Sequence, residues 1–175
     1  MSPFYRTSDM ISLTGKVIIM ELDELLTEAD ALGLPVTEKP FKTFDGRIKN
    51  NKIYLRQDMS HTNKKCVLAE ELGHHYTTVG NILDQSDTGN QKQEQQARIW
   101  AYDRLVGLTG IIDCYKAGCQ TISGMAEHLE VTEQFLKEAL ERYRQKYGVY
   151  TTVDNYIIYF EPRLVVAELL SDGIE

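Results

Sequence analysis

The chain has 175 residues, enough for one sizeable core or a core with an appendage. Hydrophobic residues make up 42% and charged residues 26%, the balance of a soluble globular protein. A net charge of -7 lacks the basic face of a nucleic-acid binder, and no segment approaches the ~20 apolar residues of a membrane span, so neither is an expected partner.

The start, Met1-Ser2-Pro3-Phe4-Tyr5-Arg6, has no apolar signal-peptide core. Cys66, Cys114 and Cys119 are odd in number and unevenly spaced, which fits reduced thiols rather than a disulfide framework. Both features predict a cytoplasmic chain. Val17, Ile18, Leu22, Leu25, Leu26, Ala29 and Leu32 recur at helical spacing, and Gly33-Leu34-Pro35 ends that helix. Residues 41–44 and 52–55 read as strands around a turn-rich stretch from Asp45-Gly46 to Asn50-Asn51, giving two or three antiparallel strands. A second helix follows, with Ser60 or Thr62 as its N-cap and Gly80 after its last turn. Residues 84–90 form a polar loop. Helices are then predicted over about 91–107, 111–118, 122–129 and 132–147. The tail alternates as a strand over 156–160, paired with 149–152, and the apolar run 164–170 reads as a short helix.

The second helix carries the chemistry. Its run Leu68-Ala69-Glu70-Glu71-Leu72-Gly73-His74-His75 differs by one residue from H-E-x-x-H, the pattern in which two His one turn apart hold a metal and the Glu activates water. Glu70 stands where the first His would be. A helix advances about 100° per residue, so positions 70 and 74 lie about 40° apart, stacked one turn above each other. A carboxylate and an imidazole placed so can grip one ion, and Glu71 lies close enough to act on water without being a ligand. Gly73 disfavours the helix, which points to a close approach by another backbone or a substrate. A third donor belongs on a neighbouring helix, and Glu94 is the candidate: it shares a face with Ala97, Ala101 and Leu105, small enough at two positions for close packing. His75 is the alternative to Glu70 as a donor. The plainer alternative is a solvated acidic edge, Glu70-Glu71, beside ordinary histidines. His61 reads as a cap or surface residue, His128 as structural, the cysteines as buried thiols and Trp100 as core material.

Over residues 40–108 the chain resembles the ImmA/IrrE family of metallopeptidases, gluzincin-like enzymes of prophages and mobile elements. The resemblance rests on Lys65-Cys66-Val67-Leu68-Ala69-Glu70-Glu71-Leu72-Gly73-His74 and Glu94-Gln95-Gln96-Ala97-Arg98-Ile99-Trp100-Ala101. It implies Glu71 as general base and His74 and Glu94 as metal ligands, with the family's first His position falling on Glu70. It implies a cytosolic metal-dependent endopeptidase whose substrate is a helix-turn-helix repressor. The metal would be zinc, with manganese or iron favoured by the harder two-carboxylate set. A catalytically degenerate antirepressor of the same fold is the rival. The fold expected is α+β: a mainly helical zincin-like core with a small antiparallel sheet over 1–108, a helix-turn-helix-like segment over 109–147 and a β-containing tail over 148–175. In that segment Ala126, Leu129, Val131, Phe135, Leu136 and Leu140 suit a helical pair. Glu133, Glu138 and Glu141 would repel phosphates, which favours a structural or protein-docking role over DNA reading.

Overall fold

The computed structural model describes residues 19–78 and 87–169. Helix α1 (Leu22–Ala31) starts where the Glu24 carboxylate takes the Glu21 backbone N–H at 2.9 Å. It buries Leu22, Leu25 and Ala29, an i, i+3, i+7 stripe. Gly33, at φ +70, ends it. The predicted start of this helix near Val17 and Ile18 lies outside the described residues.

Strands β1 (Val36–Lys39), β2 (Gly46–Lys49) and β3 (Lys52–Arg56) form a sheet in the order β1-β3-β2. β2 and β3 are antiparallel and β1 is parallel to β3. The expected strand at 41–44 is absent, and the strand lies at 36–39 instead. Pro40 ends it, since proline has no N–H for a ladder. Phe41 and Phe44 pack ring to ring at 4.2 Å, and Phe41 meets Tyr54 edge-on, so these aromatics cover a loop. The turn is also shorter than predicted. Only Asn50 and Asn51 form it, at φ 51 and 55, and Gly46–Lys49 is strand.

Helix α2 (His61–Thr78) is capped by Ser60, whose Oγ accepts the Asn63 N–H at 3.2 Å. The predicted Gly80 stop lies outside the described residues. Helix α3 (Asp87–Leu105) begins about a turn earlier than predicted. The two helices pack closely at Gly73, where an added Cβ would lie 2.4 Å from the Ala97 carbonyl oxygen. Ala97 and Ala101 are fully buried there. Leu68 and Leu72 carry the other side of α2 into the core.

Helices α4 (Gly107–Lys116), α5 (Ile122–His128) and α6 (Glu133–Tyr147) follow. Thr121 Oγ1 caps α5 on the Gly124 N–H at 3.0 Å, and Thr132 Oγ1 caps α6 on the Phe135 N–H at 3.1 Å. Strands β4 (Tyr150–Val153), β5 (Tyr156–Tyr159) and β6 (Val165–Glu168) form a second, antiparallel sheet. The short helix predicted over 164–170 is therefore strand β6 within the described residues. Its β-branched Val165 and Val166 pair with Tyr159 and Ile158. A helix there would leave the outer backbone groups of β5 unpaired. The architecture is α+β, mostly helical, with two small three-stranded sheets.

One buried charge ties these parts together. Lys65 on α2 is fully buried, and its Nζ donates to the Leu129 carbonyl at 2.9 Å. Glu130 Oε2 lies 3.7 Å away, on a residue at φ 52 in the turn between α5 and α6. Burial lowers the lysine's pKa, and the charges of Glu130 and Glu21 oppose that.

Two substitutions test this packing. Gly73→Ala forces the α2–α3 contact apart and should cost about 1–3 kcal/mol, outweighing its helix-propensity gain of about 1 kcal/mol. A lowered thermal midpoint is the expected readout. Lys65→Met fills the same space but leaves the Leu129 carbonyl unpaired, which should lower stability in urea by about 1–3 kcal/mol.

Candidate metal centre

Helix α2 presents Glu70, Glu71 and His74 within little more than one turn, and α3 brings Glu94 toward them. His74 Nε2 lies 3.1 Å from Glu94 Oε2. The other oxygen of Glu94 accepts from Arg98 Nε at 3.2 Å, one turn further along α3. This meeting follows from the missing side chain at Gly73, which sits beside His74 and lets α3 approach.

Glu71 points to the sheet rather than to α3. It is 8% exposed. A Cβ on Gly46, the first residue of β2, would lie 2.9 Å from Glu71 Oε1 and even nearer Val67, so only glycine fits there. A hydrogen bond from the Ile48 backbone holds the Glu71 carboxylate. Burial nevertheless pushes its pKa up to about 7, with the charges of Glu70 and Glu94 adding to the rise. Burial also lifts Glu70 to about 7, against the opposing charge of Arg98 and with the help of Glu94 and Glu138.

The structure thus joins His74 to Glu94 and seats Glu71 at the edge of β2. It does not gather Glu70 with the pair: among the described residues no three His, Cys, Asp or Glu side chains form a group able to hold a metal ion. His75 packs edge-on against Tyr76 with ring centroids 5.6 Å apart. His61 is exposed at the first residue of α2. His128 bonds Asp113 at 2.8 Å, a structural role. All three cysteines are free; Cys66 and Cys114 are buried and Cys119 is partly so. Burial pushes the Cys66 thiol up to about 11, which suits an inert core residue. Trp100 stacks on Tyr76 at 4.9 Å.

Sequence reasoning missed Arg98, Gly46 and Lys65. The i,i+4 spacing of Glu94 and Arg98 was a usable signal. Gly46 was hidden inside an Asp-Gly pair that reads as a turn. Nothing local marks Lys65 as buried.

The donors suit a divalent cation in kind: one imidazole and two carboxylates, of which the imidazole and one carboxylate already converge.

A fold that sets an acid-rich helix against a second helix, with a buried glutamate on a sheet edge, fits a peptidase-like domain. The chain belongs to the Peptidase_M78 family, matching its IrrE N-terminal-like domain over residues 29–141. Among solved structures it is similar to a Mycobacterium tuberculosis transcriptional regulator, with a TM-score of 0.52 and 13% identity. That match covers 77% of this chain and 46% of the regulator, so the chain spans less than half of that protein. At this identity the likeness is one of fold. No curated protein matches the chain by sequence. Among the described residues no helix is long and apolar enough to cross a membrane.

The raised carboxyls predict a pH dependence in metal-free protein. Glu70 and Glu71 sit near 7 in the fold against a usual 4.5, so the folded state holds protons that the unfolded chain releases. The stability they contribute is full below pH 4.5 and is lost as pH rises to about 7. Within that window each group costs at most about 1.4 kcal/mol for every pH step of one. Glu71→Gln should flatten the fall in stability over the same range. An unchanged slope in urea titrations at several pH values would contradict it.

Proposed function

We propose that this protein is a metal-dependent endopeptidase. Glu70, His74 and Glu94 would hold the ion, zinc or alternatively manganese or iron, and Glu71 would be the general base. The convergence of His74 and Glu94 at 3.1 Å beside the buried Glu71 is the observation that carries this reading. When bound, the ion supplies Lewis acidity toward a peptide carbonyl and toward water. The chain's own residues supply the rest. Glu71, lifted toward neutrality by burial, has a pKa matched to taking and returning a proton near pH 7. The Ile48 N–H and the glycine at 46 fix that carboxylate at the strand edge. The substrate is a protein, and membership of this family supports a helix-turn-helix repressor of a prophage or mobile element, cut in the cytoplasm.

One observation favours a second reading, a catalytically degenerate antirepressor that binds its partner without cutting it. Both oxygens of Glu94 are already engaged, by His74 and by Arg98, and Glu70 is not gathered with them.

A single variant separates the two. Glu71→Gln should lower cleavage of the repressor by about 10²–10⁴-fold while leaving its binding intact. The assay is product formation on a gel beside surface plasmon resonance, with zinc or manganese supplied. Wild-type protein that binds a repressor but never cuts it, under either metal, would establish the binder instead.

A further inference from the structure

The outer face of the first sheet is basic. Six of the chain's 19 Lys and Arg residues fall between positions 39 and 56, with Asp45 the one acid in that span. Ile53 and Leu55 of β3 are buried in the core, so Lys52, Tyr54 and Arg56 point the other way. The register sets Lys49 of β2 directly opposite Lys52, Arg47 opposite Tyr54, and Lys39 of β1 opposite Arg56. Glu38 turns to the far side, where it pairs with Lys64 of α2 at 2.8 Å. Lys39, Lys49 and Lys52 are exposed and make no ion pair among the described residues. Arg56 is the cation that acids answer, Asp45 at 2.6 Å and Asp58 at 2.9 Å. Aromatic rings lie among these charges. Tyr54 stands on the central strand, Phe41 meets it edge-on with centroids 6.3 Å apart, and the Arg47 guanidinium lies 6.0 Å from the Phe44 ring.

We propose that this face binds single-stranded nucleic acid, with the lysines on the phosphates and Tyr54 as a platform for a base. Like charges directly opposite each other weaken a sheet. Lys49 faces Lys52 and Lys39 faces Arg56, so the stability of the fold does not account for them. Protection of exposed edges accounts for lysine on the outer strands β1 and β2, but not for Lys52 and Arg56 on the central strand. A polyanion laid across the sheet removes the repulsion. The rings decide which polyanion. A base stacks on an aromatic face, which gives Tyr54 a partner that the carboxylates of an acidic peptide do not. Phe41 and Phe44 are half-buried against each other, which withholds them from insertion into a bilayer. The net charge of -7 argues against a nucleic-acid partner for the chain as a whole, but it is a sum that conceals this face. Strand β2 alternates, with Arg47 and Lys49 outward and Gly46 toward Glu71. The basic face therefore lies across the sheet from Glu71, and binding there needs no metal.

The test is fluorescence anisotropy on the full chain. The probes are fluorescein-labelled oligothymidylate and oligouridylate of about twelve nucleotides, and an oligoglutamate peptide of the same length. Vesicles of phosphatidylserine and phosphatidylcholine are tested by co-sedimentation. The oligonucleotides should bind about tenfold or more tighter than the peptide, and the vesicles should not carry the protein down. With about four phosphates neutralised, affinity should fall by about tenfold or more between about 50 and about 200 mM salt. Lys49→Glu combined with Lys52→Glu should weaken binding by about tenfold or more. Lys92→Glu combined with Lys137→Glu makes the same change of charge on α3 and α6 and should weaken it by about threefold at most. Tyr54→Leu should weaken binding by about fivefold or more without altering the salt slope, and Tyr54→Phe should bind as wild type does. All the substituted lysines are exposed, so these variants should keep the fold, which circular dichroism checks. Equal losses in the two double variants would overturn the assignment to this face. Peptide or vesicles bound as tightly as the oligonucleotides, or Tyr54→Leu binding as wild type does, would overturn nucleic acid as the occupant. Failure of both oligonucleotides to bind at low salt would overturn the proposal outright.

Discussion

The close approach of α2 and α3 at Gly73 is the constraint on which the rest depends. A helix packed on another ordinarily keeps its axis about 8–10 Å away, the spacing that side chains impose. Here the Ala97 carbonyl lies where a side chain at 73 would be. Fully buried Ala97 and Ala101 keep the facing helix equally thin. Only at that separation can Glu94 reach His74. The helix-propensity cost of the glycine, about 1 kcal/mol, is offset by packing that no larger residue could make.

A second consequence is electrostatic. Closing two helices over an acidic run takes carboxylates out of water, and burial disfavours their charged forms. Glu70 and Glu71 answer by holding protons up to about pH 7. They are lifted alike but partnered differently. Glu71 is fixed by the Ile48 backbone and the Gly46 cradle, so its position belongs to the sheet. Glu70 has Arg98 as its main opposing charge, so its state belongs to α3. Two neighbouring glutamates thus meet different opposing groups, although Glu94 raises both.

The elements that were legible in the sequence are those with strong period or strong caps. Helix α6 falls near its predicted range because its apolar spacing marks it, and Ser60 caps α2 as predicted, whereas the apolar period of α2 and α3 is weak. The meeting of His74 with Glu94 was also legible, since Gly73, Ala97 and Ala101 announce a close contact. The illegible parts are set by partners far along the chain. Val36–Lys39 becomes a strand only because β3 offers it a parallel edge. Val165–Glu168 becomes a strand rather than a helix because β5 needs covering. Lys65 reads as one more polar residue near a helix start, and its burial depends on the Leu129 carbonyl, 64 positions on. The raised pKa of Glu70 could not be read either, because it depends on burial and on Arg98, Glu94, Glu138 and Asp45 elsewhere in the chain.

Helix α2 meets partners well beyond the two motif helices. One side of it meets α3, where His74 faces Glu94. Another meets β2, where Glu71 lies against Gly46. A third carries Lys65 into the turn between α5 and α6, through Leu129 and Glu130. The match spans residues 29–141, from the end of α1 into α6, and so includes every one of these partners. A helix clasped on three sides cannot shift along its axis without breaking a buried ammonium contact, a glycine cradle or a backbone contact at Ala97. The helical pair beyond α4 is therefore part of what holds the acid-rich helix in register. Its Glu130 takes a left-handed conformation that few non-glycine residues adopt, and its carboxylate faces the one lysine that is fully buried among the described residues.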